Sequence, residues 1–186
     1  TTLTLPDNAN IVVFAATAVN DTHNVLTPAT DLLQVNLPLL EADENAPAQR
    51  NHVAGKPILE KSGEIHYAER ATLALDDDIS TKWCDVSDVK NKFIVVDMEK
   101  VVDITGWRVF HAGMESLDYI GKEYNLQVKE NESDEWKKVD EVFDNTALET
   151  DRLLSAPVKA RYVKLTFTKP DQSEGTTVRC YEFSVY

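Results

Sequence analysis

Alternation of apolar and polar side chains is the dominant signal along this chain. In Tyr162–Thr168, Val163, Leu165 and Phe167 face one way, and Lys164, Thr166 and Thr168 the other. Tyr124–Lys129 repeats the pattern with Tyr124, Leu126 and Val128. Phe93–Val96 and Trp107–Phe110 are strand-like, and Val178–Tyr186 closes the chain in the same manner. This period of two predicts half-buried β-strands. Turn-forming runs, Asn131–Asp134 and Asp171–Gly175, separate them. No amphipathic helix of twelve or more residues is visible, and there is no internal repeat. Many short strands predict an all-β protein, a β-sandwich.

Composition narrows the class. The 186 residues are 42% hydrophobic, enough to build one domain, or one with an appendage, without disulfides. The longest apolar runs, Ile11–Ala18 and Phe93–Val96, are too short to span a membrane. The chain carries 19 basic and 32 acidic residues, a net charge of −13. That disfavours nucleic acid and anionic membranes, which call for clustered cations. Composition changes near residue 50. Residues 1–50 hold six acids, one base (Arg50) and no glycine, and Glu41–Arg50 reads as a linker. The expected division is therefore 1–50, a β-containing N-terminal extension or the remnant of an upstream domain, and 51–186, the main module. The chain starts at Thr1 without a methionine or a charged-then-apolar leader, as expected of a mature fragment or a piece of something longer. Cys84 and Cys180 fit no zinc-ligand spacing, and His23, His52, His66 and His111 are scattered.

The most informative segment is Leu73–Trp83, where Asp76, Asp77 and Asp78 stand in a row ahead of Thr81. Adjacent carboxylates repel unless they are solvated, hydrogen-bonded or bridged by a cation. A hard cation such as Ca²⁺ takes six to eight oxygens, and a tight loop supplies several. No mid-loop glycine or second acidic anchor matches an EF-hand. Spacing alone leaves open a solvated acidic turn.

Several runs in order resemble a known family: the acidic stretch before Ser80-Thr81-Lys82-Trp83, the strand ending Phe110-His111-Ala112-Gly113, Leu126-Gln127 followed by Trp136, Ala160–Leu165, and the ending Arg179–Tyr186. Together they are similar to the discoidin, or coagulation factor 5/8 type C, family. They are closest to its carbohydrate-binding module family 32 branch, which is attached to bacterial glycoside hydrolases. The resemblance covers about Asn51–Tyr186. It implies a galactose-binding-like jelly-roll sandwich of two antiparallel sheets, with one structural Ca²⁺ between the acidic loop and the last strand. The ligands it implies are the carbonyls of Leu73, Asp78 and Tyr181, the carboxylates of Asp76 and Glu182, and the carbonyl and hydroxyl of Thr81. Where the family commonly has glycine, this chain has Asp77, whose side chain is expected to point to solvent. A shared ion would bring both flanks near, so Cys84 and Cys180 either bridge or remain two buried thiols.

A sugar site needs an aromatic face for the pyranose and polar groups for its hydroxyls. The resemblance places it in loops at one end of the sandwich, here Asp85–Lys92, His111–Gly121 and Asp171–Thr176. The central loop offers His111, Glu115, Asp118 and Tyr119, and Arg152 beside Asp151 is a further candidate. Against these readings, His111 falls in phase with Trp107 and Val109, and Asp151–Arg152 would serve equally as a structural pair. The resulting expectation is a monomeric, non-catalytic glycan-binding module of galactose or N-acetylhexosamine type. It would belong to an exported or surface-anchored bacterial protein, beside or attached to a glycoside hydrolase. The alternative is a structural or protein–protein module. An enzyme is disfavoured, since nothing ties Glu115 and Asp118 to a cleft.

Overall fold

The computed structural model describes residues 50–173 and 175–186; the expected extension, with its Ile11–Ala18 strand, lies outside the described residues apart from Arg50. Seven strands follow in order among the described residues: β1 (Ile58–Lys61), β2 (Trp83–Asp85), β3 (Lys92–His111), β4 (Glu123–Lys129), β5 (Lys137–Val142), β6 (Glu149–Lys169) and β7 (Val178–Val185). Helical structure is limited to 3₁₀ turns at Tyr67–Glu69, Ala71–Ala74, Ala112–Met114 and Leu117–Tyr119. The alternating segments all become strand. Phe93–Val96 and Trp107–Phe110, however, are two ends of one 20-residue strand.

The sheet is antiparallel throughout, in the order β2-β7-β3-β6-β4-β5, with β1 on β3. The two antiparallel layers expected of the sandwich are hydrogen-bonded into one path because β3 and β6 run through both. The early part of β3 pairs with β1 and the late part of β6, and its late part with β7 and the early part of β6. Register slips at Asp97/Val102 and Ile104/Gly106 let both long strands bend and serve two layers, which is what bulges permit. The first layer is β1, early β3, late β6, β4 and β5; the second is β2, β7, late β3 and early β6. Each layer buries one face against the other, as a jelly-roll-like fold requires. Trp83 of the second layer lies 6.5 Å from Phe167 of the first, and Trp107 meets Tyr124 edge-on at 5.7 Å (ring centroids). These rings, with Ile94, Val109, Leu126, Leu165 and Phe183, are fully buried.

Polar groups lock the frame where apolar packing cannot. Lys92 and Asp85 are both buried with their charged groups 3.4 Å apart. Ser62 and Ser87 complete the shell around Asp85, so that neither charge is left bare. On the outer surface Arg161 clasps Asp97 through two 2.8 Å bonds.

The two cysteines do not bridge. Trp83 lies opposite Cys180 and Cys84 opposite Arg179, so side-chain alternation sends the two sulfurs to opposite faces. Both are buried free thiols, and burial pushes the Cys84 thiol up to about 11 and Cys180 higher still. Neither should react with a thiol reagent at pH 8 in the native state, and both should react once denaturant unfolds the chain. A mass change on reduction without denaturant would contradict this.

Candidate functional site

The acidic loop is built around one hydroxyl. Thr81 Oγ1 lies 2.8 Å from Asp76 Oδ2, 3.1 Å from the Asp78 carbonyl and 3.4 Å from the Leu73 carbonyl. Four groups named from the sequence thus converge within the reach of one small ion. Asp76 also accepts from the Asp78 amide at 3.1 Å, which closes the turn. The Asp78 carboxylate turns away to accept from the Ser80 amide and hydroxyl, bonds that hold it below the usual carboxylate range. Only the Asp78 carbonyl therefore faces the cluster. Asp77 takes a left-handed backbone (φ 57°), a conformation that favours glycine. Its carboxylate does not simply point to solvent: Oδ1 accepts from Asn51 Nδ2 at 2.8 Å.

Glu182 arrives from the other end of the sequence. Inward positions on β7 run Val178, Cys180 and then Phe183, Val185, so the alternation slips at Tyr181–Glu182. The ladder to β3 skips a residue at the same point, between the Phe110↔Glu182 and His111↔Cys180 pairs. This bulge turns an acid inward, and both Glu182 carboxylate oxygens are buried without a hydrogen-bond partner. Burial, then the nearby charges of Asp77 and Asp76, pushes its carboxyl up to about 8. Asn51 ties the two parts together: besides Asp77 it donates to Ser184 Oγ (3.3 Å) and accepts from the Val185 amide (3.2 Å). Sequence reading missed Asn51, because an amide in a loop carries no local signal of its partners.

Two unpaired buried oxygens that feel the charges of Asp77 and Asp76, and a cluster made wholly of oxygens, are the chemistry a hard cation demands. Of the groups expected from the sequence only two are carboxylates, the rest being carbonyls and a hydroxyl. That accords with the absence, among the described residues, of any metal-binding group of three or more His, Cys, Asp or Glu.

The residues expected to touch a ligand separate. His111 is wholly buried; its Nδ1 accepts from the Gly121 amide (3.3 Å) and its Nε2 lies 3.2 Å from Tyr124 Oη. With no exposed atom it offers a ligand nothing, which corrects the expectation. Glu115 is taken by Lys82 Nζ (2.5 Å) and the Tyr181 hydroxyl (2.7 Å). Although partial burial pushes its carboxyl up, those bonds hold it below the usual range. Arg152 is clamped on Asp140 by bonds of 2.6 and 2.8 Å, while Asp151 faces Arg108 instead. Tyr119 carries Arg179 stacked 3.7 Å above its ring. Asp118 alone of the five keeps an exposed carboxylate without a bonded partner among the described residues.

A different set of loops forms the end of the sandwich. Asn145 donates to the carbonyls of Gly121 and Ala147, and its amide bonds Lys122. Gln172 donates to the carbonyls of Asp118, Ile120 and Asn145. Residues 112–121, 143–148 and 170–173 are thereby knit into one surface. Gly121 is required there, since a Cβ would sit 2.7 Å from Phe167 Cε1. Exposed within those segments are Phe143, Leu117 and Met114, at 62%, 70% and 60%, with Asp118 beside Leu117 in the chain. Phe143 follows β5 in a loop outside the three expected ones, and an isolated aromatic outside any strand pattern was its only signal. The Asp85–Lys92 loop meets the 170–176 loop at Lys90, where Lys90, Thr168, Pro170 and Thr176 line an open groove of about 380 Å³ without an aromatic.

Residues 59–183 match the F5/8 type C domain family. The chain is similar in structure to the family 32 carbohydrate-binding module of Streptococcus pneumoniae EndoD, with a TM-score of 0.63 and 24% identity over 74% of this chain and 99% of that one. It resembles chitosan-binding module 1 of a Paenibacillus chitosanase/glucanase (TM-score 0.59, 19% identity, 74% and 98% of the two chains). It also resembles the family 32 module of Clostridium perfringens NanJ, solved with galactose (TM-score 0.56, 18% identity, 68% and 90%). No curated protein matches the chain.

Burial holds the His111 imidazole down to about 4, and protonating Nδ1 would set it against the Gly121 N–H. Unfolded, the ring titrates near 6.5, so its contribution to stability is full above pH 6.5 and is lost as pH falls toward 4. The loss amounts to about 3 kcal/mol. NMR titration should find the His111 ring signal unchanged down to pH 5, and a midpoint near 6.5 would refute its burial.

Proposed function

The chain belongs to the F5/8 type C domain family, and from that premise we propose that it is a non-catalytic glycan-binding module stabilised by a structural Ca²⁺. The observation that carries the glycan reading is the knit loop end, where Phe143, Leu117 and Met114 stand exposed. An aromatic and aliphatic surface packs against the apolar face of a pyranose, and Asp118 accepts hydrogen bonds from its hydroxyls. The ligand is a galactose- or N-acetylhexosamine-type sugar, a reading supported by the likeness to a module solved with galactose. Tyr119 has one ring face covered by Arg179. Glu115, Arg152 and His111 act as supports, because their polar atoms are engaged within the protein.

The residues that would hold Ca²⁺ are Leu73, Asp76, Asp78, Thr81, Tyr181 and Glu182. The orphaned Glu182 carboxylate supports this assignment. The bound ion supplies positive charge that compensates Glu182 and Asp76 and fastens the loop to β7. On this reading the module belongs to an exported or surface-held bacterial protein. It works as a monomer, attached to or beside a glycoside hydrolase, by raising the local concentration of glycan. A net charge of −13 directs it away from nucleic acid and anionic lipid.

Titration calorimetry with galactose and N-acetylhexosamines should give weak binding that Phe143→Ala abolishes. Binding unaltered in that variant would displace the site. Chelation should lower the melting temperature by several degrees, since a hundredfold excess of free ion over Kd contributes about 2.7 kcal/mol. An unchanged melting curve after verified metal removal would rule out the structural ion.

Stability without metal has a definite pH dependence. Glu182 stays neutral in the folded chain up to about pH 8 and ionises near 4.5 when unfolded. Its contribution is therefore complete below pH 4.5 and vanishes as pH climbs to 8. In chelator, wild type should lose stability across this window and Glu182→Gln should not. Calcium at pH 8 should rescue wild type alone.

A further inference from the structure

The outer face of the first layer carries an arrangement that neither the core nor the loop end uses. Ile94, Leu126, Val128, Val163 and Leu165 point into the core, so their neighbours Phe93, Gln127, Lys129, Tyr162 and Lys164 point out. On that face ammonium groups and rings alternate. Lys164 Nζ lies 4.4 Å from the Phe93 centroid and 5.9 Å from that of Trp136. Lys129 Nζ lies 5.0 Å from Trp136 and 5.4 Å from Tyr162. The half-buried Trp136 indole is thus flanked by two cations.

Neither lysine forms an ion pair among the described residues. Lys129 donates to the Glu132 carbonyl, and Lys164 makes only its two ring contacts. Nearby Arg161, by contrast, is fully paired with Asp97. Two like charges beside one ring repel, and cation–π attraction of about 0.5–1 kcal/mol at exposed sites offsets this only in part. The face therefore presents two ammonium groups without an ion-pair partner beside a flat aromatic surface, with Gln127 opposite Lys164 in the strand register.

We infer that this face is a second glycan site, separate from the loop end, that takes polysaccharides bearing uronic acids. The apolar face of the sugar ring stacks on Trp136, and its carboxylate reaches Lys164 or Lys129. Charge complementarity selects this occupant. A neutral sugar would leave both ammonium groups unanswered, and an acidic peptide lacks the flat saturated ring that the indole accepts. The net charge of the whole chain does not forbid the contact, because at 0.1 M salt charges beyond about 10 Å are screened.

The test titrates the full chain with digalacturonate and, as a matched control, its methyl ester. The acid should bind at least tenfold more tightly than the ester, a difference of about 1.4 kcal/mol, and binding should weaken with added salt. Lys164→Gln and Trp136→Ala should each weaken binding of the acid at least tenfold. Lys164 is only half buried, so its variant should keep the wild-type melting curve. Phe143→Ala should leave digalacturonate binding intact, which separates failure here from failure of the loop-end reading. Equal affinity for acid and ester, undiminished binding by Lys164→Gln, loss in Phe143→Ala, or tighter binding of a single-stranded oligonucleotide or an acidic peptide would each overturn the inference.

Discussion

A carboxylate removed from water without a partner is the constraint around which the acidic loop, the last strand and the start of the module are organised. Glu182 is driven inward by the bulge at Tyr181–Glu182, and both its oxygens lack hydrogen bonds. Such a group is costly unless it is protonated or compensated. The chain places the oxygens gathered on Thr81 near it and holds them there through Asn51, which bonds Asp77, Ser184 and Val185. Even the left-handed backbone at Asp77 fits this scheme, since the turn that bends there aims the loop at β7.

The remainder of the architecture keeps that cluster and the loop end on one rigid frame. β3 meets the bulged β7 in its late part and β1 in its early part, so one strand couples both layers. His111 ends that strand and anchors the turn at Gly121, while Tyr124 passes its hydroxyl on to Thr150 of β6. The buried histidine belongs to the scaffold of the loop end, with Asn145 and Gln172 as the outer fastenings. In the proposed reading, sugar contact falls to exposed side chains with no bonded role in the scaffold, Phe143, Leu117 and Asp118.

Reading the sequence reached the strands through their period of two and reached the loop–strand oxygen cluster through family resemblance. It was less successful with polar side chains. Arg152, Glu115 and His111 are residue types that suit a sugar, yet each is engaged by a partner twelve, thirty-three or ten positions away. Phe143 was overlooked because it stands alone outside any alternation. The opposite faces of Cys84 and Cys180 became evident only from the β2–β7 register.

The sequence by itself determined that residues 51–186 are β, which face of each segment is buried, and that a lone acid near the end is costly if buried. These properties follow from local alternation and from the cost of desolvating charge. Only the tertiary structure decided that β3 and β6 each run through two layers, that Glu182 is orphaned inside a bulge, and that cations rather than acids gather around Trp136. Those outcomes depend on which distant residues become neighbours, and a side chain's hydrogen bonds, charge and exposure are set by its neighbours in space.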